Sequence, residues 1–156
     1  MATPIDAWLE RFGEAPLPVS APVREACREL LADERQPLSA IGSLLAQDPG
    51  LTLALLTHVN ARRRRSGHGI TTVDSAIGLM GKGSVEELLG QTTSIEELTE
   101  EPERRNHFDQ LRWRAYHASI QARDWARQRQ DRAPAEAATM AQLVSAGDML
   151  LCAHDY

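Results

Sequence analysis

Lysine is almost missing from this chain of 156 residues: of seventeen basic side chains only Lys82 is not arginine. Cysteine is nearly as scarce. Cys27 and Cys152 stand far apart with no C-x-x-C or metal-ligand spacing, which excludes a disulfide framework and a zinc site and points to a reducing cytoplasm. Seven aromatic residues are too few to interleave with basic side chains as stacking platforms, so single-stranded nucleic acid is disfavoured as a partner. A net charge of −5 also argues against broad attraction to nucleic acid or anionic lipid. Apolar runs such as residues 53–56 are far too short to span lipid, and the first helix candidate, residues 5–12, carries charges where a signal peptide would be apolar. No His-Glu-x-x-His, glycine-rich phosphate loop or nucleophile elbow occurs. The two-residue alternation of a half-buried strand is missing as well.

What is present is a three- and four-residue recurrence of apolar side chains, so the expected class is all-α, with one domain over residues 1–156. Ser20 and Pro22 open a helix with Val23, Cys27, Leu30 and Leu31 inward; Pro37 occupies the first turn of the next, with Leu38, Ile41, Leu44 and Leu45 inward. Asp48 is an N-cap before Pro49, whose missing N–H is harmless in a first turn, and that helix runs to about Asn60. Thr71 or Thr72 starts another that ends near Gly81, and Ser84 with Glu87 has capping-box form. From about residue 100 to 129, Phe108, Leu111, Ala115, Ala118, Ala122 and Trp125 define one long helix with a narrow apolar seam. Asp131 and Pro134 break it. A last helix from Pro134 contains Ala138, Ala141, Leu143, Val144, Leu150 and Leu151.

Residues 47–60, QDPGLTLALLTHVN, and 70–81, ITTVDSAIGLMG, resemble the central signature of the bacterial HDOD domain, including the spacing between Asn60, Ile70, Ala76 and Gly81. That family is a regulatory offshoot of the HD phosphohydrolases. The resemblance is good over residues 17–90 and looser over the degenerate HD-like half, 100–156. It implies a compact multi-helix bundle, here lacking the C-terminal helices with which family members usually continue. It also implies the company of response-regulator, cyclic-dinucleotide and motility proteins.

HD phosphohydrolases hold a divalent metal with an upstream histidine, an adjacent His-Asp pair on a helix and a later aspartate. The run AQLVSAGDM, residues 141–149, resembles the helix that carries the pair and is anchored on Gly147, which places Val144 and Ser145 where His and Asp belong. An isopropyl group has no lone pair to offer a metal, and a neutral hydroxyl replaces a carboxylate poorly. The resemblance therefore implies no catalytic residue, no metal and no cofactor. A literal His154-Asp155 is followed only by Tyr156 and reads as a frayed end. His117 lies near the place of the first ligand, with Ala115 competing for it; His58 and His107 read as surface or core-edge residues, and His68 sits in a glycine-flanked loop.

Arg62, Arg63, Arg64 and Arg65 stand where the family commonly has small and tyrosine residues. Four successive guanidiniums repel one another, which leaves three readings: pairing with Asp48, Asp74 or the acids of residues 96–103, docking to an acidic protein surface, or contact with a phosphate-bearing ligand. The shift from those acids to Arg104, Arg105, Arg112 and Arg114 reads as a salt-bridged, solvated helix face or a docking surface. Trp8, Trp113 and Trp125 read as packing anchors, with Trp125 on the seam; Trp113, off it and flanked by arginines, is also a candidate interface residue. The expected function is a non-catalytic signal-transduction and protein-interaction module of a bacterial regulatory pathway, cytoplasmic, with other signalling proteins as partners and self-association as a further way to cover apolar surface. The alternatives are a metal-dependent phosphohydrolase or phosphodiesterase with a residual site at His117, and a nucleotide or nucleic-acid binding regulator using Arg62 to Arg65.

Overall fold

The computed structural model describes residues 15–62, Arg62 by its backbone alone, and residues 69–154. Helices follow one another as the periodicity leads one to expect: α1 Ala21–Ala32, α2 Leu38–Leu45, α3 Pro49–Arg62, α4 Val73–Gln91, α5 Ile95–Leu98, α6 Pro102–Gln128, α7 Pro134–Leu143 and α8 Ala146–His154. Among the described residues the one extended pairing is a bridge between Val19 and Ser94, in which the Val19 N–H donates to the Thr93 carbonyl and the Val19 carbonyl accepts from the Ile95 N–H, each at 3.0 Å. The expected helix over residues 5–12, with Trp8, lies outside the described residues.

Two apolar clusters divide the molecule. The larger gathers Val19, Cys27, Ile41, Leu45, Leu51, Leu55, Ala76, Val85 and Leu89 between α1, α2, α3 and α4. The smaller joins Ile95, Phe108 and Leu111 to Met149, Cys152 and Ala153 of α8. α7 folds back along α6 and touches α3. No described helix is long and apolar enough to cross a membrane.

Asp48 sits at the corner between α2 and α3 and has no solvent exposure. One carboxylate oxygen accepts the Leu51 N–H at 3.0 Å, the cap expected of an Asp before Pro49, and the other accepts the Ser20 N–H at 2.8 Å. A single side chain thus caps α3 and holds the entry to α1. The second free amide of α1, at Ala21, goes to Glu96 Oε2 at 3.1 Å. Burial pushes the Asp48 carboxyl up to about 6, against the pull of the Ser20 and Leu51 amides and of the Arg112 guanidinium. Glycine is required beside it: a Cβ on Gly50 would stand 2.4 Å from the Pro18 carbonyl oxygen.

The spacing of the 47–81 signature has a structural reason. Asn60, near the end of α3, donates from Nδ2 to the Ile70 carbonyl at 2.8 Å and accepts the Ile70 N–H on Oδ1 at 2.7 Å, closing the connection from α3 to α4. Thr72 then caps α4 by accepting the Ser75 N–H. The expected end near Gly81 is a kink: Gly81 has φ 73° and ψ 167°, a region essentially reserved for glycine, and the helix resumes at once. Ser84 therefore lies within α4, and no helix starts there to be capped by Ser84 and Glu87. The Ser-x-x-Glu arrangement occurs ten residues later, where the Ser94 N–H donates to Glu97 Oε2 at 2.7 Å.

Three further expectations are corrected. Pro37 stands just before the first turn of α2, as its N-cap. Trp125 is 65% exposed, and Ala126 takes the buried place, because the seam Phe108, Leu111, Ala115, Ser119, Ala126 keeps a 3.6-residue period while a step of three to Trp125 falls one residue behind it. The last helix is two, α7 and α8, with Gln142, Met149, Cys152 and Ala153 as its buried side chains and Val144 outside.

α6 ends in a Schellman turn, with the Asp131 N–H on the Ala126 carbonyl at 2.9 Å and the Gln130 N–H on the Arg127 carbonyl at 3.0 Å. Gln130 holds the left-handed position at φ 55°, where glycine has no Cβ penalty. Gln130→Gly is expected to raise stability by about 0.5–1 kcal/mol, read from denaturant midpoints.

Asp48 has a pKa of 3.8 in the open chain and about 6 when folded, so the folded state holds its proton longer and this group's contribution to stability falls as pH rises through that interval. Glu97, held down to about 2 chiefly by the Arg24 guanidinium and the Ser94 N–H, acts oppositely and at lower pH, its contribution being lost as pH falls from 4.5 toward 2. Between pH 4.5 and 6, stability should therefore decline in the native protein and be flatter in Asp48→Asn, with a difference of about 1.5 kcal/mol across the interval. Urea denaturation at half-unit pH steps checks it; parallel slopes would contradict the assignment.

Candidate functional site

The place aligned with a His-Asp pair is a turn. α7 ends when Gln142 is drawn inward to donate from Nε2 to the Ala46 carbonyl at 2.8 Å, and α8 begins on the Ser145 carbonyl, which accepts the Met149 N–H at 3.1 Å. α7 is thus held against α2 and α8 against Phe108 and Leu111, two directions that one straight helix cannot serve. Val144 caps α7 from the turn with its side chain in solvent, 81% exposed, and Ser145 is partly buried beside it. Neither a polar hollow nor an apolar plug surrounds residue 144.

The histidines are dispersed. His117 lies on the exposed face of α6, its ring 5.9 Å from that of Trp113 and 6.2 Å from that of Tyr116, while Ala115 is fully buried in the seam. His107 is exposed, and His58 is partly buried with its ring Nε2 lacking a hydrogen-bond partner. A ring nitrogen of His154 is 3.3 Å from the Pro16 carbonyl. His68, Asp155 and Tyr156 lie outside the described residues. Among the described residues no three His, Cys, Asp or Glu side chains come together in an arrangement able to hold a metal ion. Both cysteines are free and buried; burial pushes the Cys27 thiol up to about 12, with the Asp48 carboxylate adding to it, and raises Cys152 as well, so neither is poised as a thiolate.

Arg62 ends α3, and Arg63, Arg64 and Arg65 lie outside the described residues. The acids considered as their partners are largely engaged elsewhere. Asp48 is buried at its corner, Glu96 holds the Ala21 amide, Glu97 takes the Arg24 guanidinium at 2.9 and 3.2 Å, and Glu101 pairs with Arg104 at 3.3 Å. Arg24 is itself buried and donates to the Thr92 carbonyl at 2.9 Å. The shift from acids to arginines along the chain is therefore partly a set of structural contacts, Arg105 adding hydrogen bonds to the Thr99 and Glu96 carbonyls at 2.7 and 2.9 Å at the end of α5.

Trp113 is 42% exposed, with the Arg112 guanidinium 4.5 Å above its ring and Tyr116 edge-on at 6.0 Å. Arg112 is buried, donating to Asp109 at 2.6 and 2.8 Å and to the Gln47 carbonyl at 3.3 Å. This aromatic patch stands on a rigid base, next to a groove of about 490 Å³ floored by Val23, Leu44 and Phe108. Sequence reasoning missed Tyr116 and the anchoring of Arg112, although Trp113, Tyr116 and His117 at i, i+3 and i+4 share one helix face and were legible as a cluster.

Comparison with known proteins agrees with the geometry. The family model described as the HDOD domain matches residues 17–155. Among solved structures, the MmoQ response regulator of Methylococcus capsulatus superposes with a TM-score of 0.66 at 24% identity, over 86% of this chain and 54% of that one, so this chain spans about half the length of that protein. Curated proteins include no match. The all-helical bundle, the Asn60–Ile70 clamp, the Gly81 kink and the family match over residues 17–155 lead to one conclusion: the chain belongs to the HDOD domain family.

Proposed function

We propose that this chain, as one domain over residues 1–156, is a non-catalytic HDOD module that works by binding other signalling proteins in a bacterial regulatory pathway, in the cytoplasm. The observation that carries the reading is Val144, which occupies the aligned histidine position with a side chain that is both without lone pairs and turned to solvent. Ser145 offers only a hydroxyl, and no metal-binding group of three is formed nearby among the described residues. A fold shared with a protein named as a response regulator points toward signalling. Docking is assigned to the α6 face around Trp113, where an exposed indole braced by Arg112 offers contact area at small conformational cost. Arg62, Arg63, Arg64 and Arg65 follow as a contact for an acidic partner surface.

Restoring the missing letters should not restore a site. V144H/S145D is expected to bind Mn²⁺ or Fe²⁺ no more tightly than the native chain in calorimetric titration and to show no hydrolysis of bis(p-nitrophenyl) phosphate. Micromolar metal affinity in the double variant, or turnover by the native chain that His117→Ala abolishes, would replace the reading by an enzymatic one.

A docking role also requires Trp113 to be dispensable for folding. Trp113→Ala should lower stability by no more than about 1 kcal/mol, whereas Phe108→Ala, from the second core, should lower it by about 3–5 kcal/mol. Similar losses in the two variants would make Trp113 a packing anchor instead.

A further inference from the structure

Away from the 144–145 turn, a cavity of about 190 Å³ opens where the two halves of the molecule meet, walled by α2 and the start of α4 on one side and by α6 and α7 on the other. Polar side chains line both walls, Ser43, Thr72 and Asp74 on the first and Tyr116, Arg123 and Thr139 on the second. Asp74 and Arg123 give it one full charge of each sign. Neither makes a hydrogen bond or ion pair with any described residue, whereas Arg24 and Glu97, also on separate helices, are paired at 2.9 Å. Gly42 of α2 lies against the Asp74 carboxylate, a Cβ built there standing 3.7 Å from Oδ1, at ordinary contact distance. A place in the first turn of α4 accounts for an acid at 74 but leaves Arg123, on another helix, without a counterpart.

We propose that this cavity binds a small zwitterion of amino-acid type, with its ammonium on Asp74 and its carboxylate on Arg123. Unpaired opposite charges on separate walls ask for a ligand that carries both signs, since a simple anion or cation would satisfy one and leave the other as it was. A volume of about 190 Å³ accommodates a short amino acid. The Tyr116 hydroxyl faces the same space, while those of Ser43, Thr72 and Thr139 already donate to the Ser39 carbonyl, Ser75 Oγ and the Ala135 carbonyl. Near the same seam, Thr71 Oγ1 already donates to Glu136 Oε1 at 2.9 Å, so an occupant adds a second tie between the halves. The assignment does not depend on the non-catalytic reading and stands or falls separately.

The test is calorimetric titration and ligand-observed NMR on the full chain, with glycine, β-alanine, 4-aminobutyrate and 5-aminovalerate as probes of graded charge separation and butyrate and butylammonium as single-charge controls. Saturable binding of at least one zwitterion is expected, at least about tenfold tighter than either control, with D74N and R123Q each weakening it about ten- to a hundredfold. Both side chains are exposed, so both variants should keep the native melting profile, which circular dichroism verifies. The assignment is overturned by saturation with none of the four probes, by a control that binds as well as the best zwitterion, or by a loss confined to one of the two variants.

Discussion

A carboxylate removed from water constrains much of this molecule. Asp48 spends both oxygens on backbone amides from two different helices, and its neighbours in the same corner are held from the other half of the protein, Ala46 through its carbonyl by Gln142 and Gln47 through its carbonyl by Arg112. The corner between α2 and α3 is thus the point at which the two apolar clusters are pinned together by directional bonds. Burying such groups is costly unless each finds a partner, so the geometry of the corner is specified far more tightly than apolar packing alone would specify it. The close approach of Pro18 to Gly50 belongs to the same arrangement, because any side chain at 50 would push the segment before α1 away from the carboxylate it must meet.

Local features of this kind were legible in the sequence. An Asp before Pro reads as a helix start, and Thr72 reads as a cap, because the chemistry that satisfies a helix end is confined to a few neighbouring residues. What escaped is decided at a distance. Arg24 and Glu97 are seventy-three positions apart, and nothing in either neighbourhood announces that an arginine in the first turn of α1 will be buried against a carboxylate from α5. Trp125 was lost to a smaller effect: over the length of α6 a seam counted in threes and fours drifts by one residue, enough to exchange an indole for the Ala126 methyl. The break after Leu143 is tertiary too, since α7 and α8 answer to different cores.

The 144–145 turn gives the same lesson. Val144 and Ser145 could be read as letters, but their setting could not: they form a turn between α7 and α8, with the Val144 side chain in solvent. The features with the most definite chemistry lie elsewhere, on the outer face of α6 and in the gap between α4 and α6, which shifts attention from the 144–145 turn to the joint between the two halves.

Lys82 closes the circle that opened with its isolation. Its Nζ donates to the Asp33 and Glu34 carbonyls at 3.0 and 3.2 Å, fastening the end of α1 to the helix just past the Gly81 kink. Acylation at nitrogen, chemical or enzymatic, therefore meets one side chain in the entire polypeptide, and the charge it erases is one that tethers those two helices.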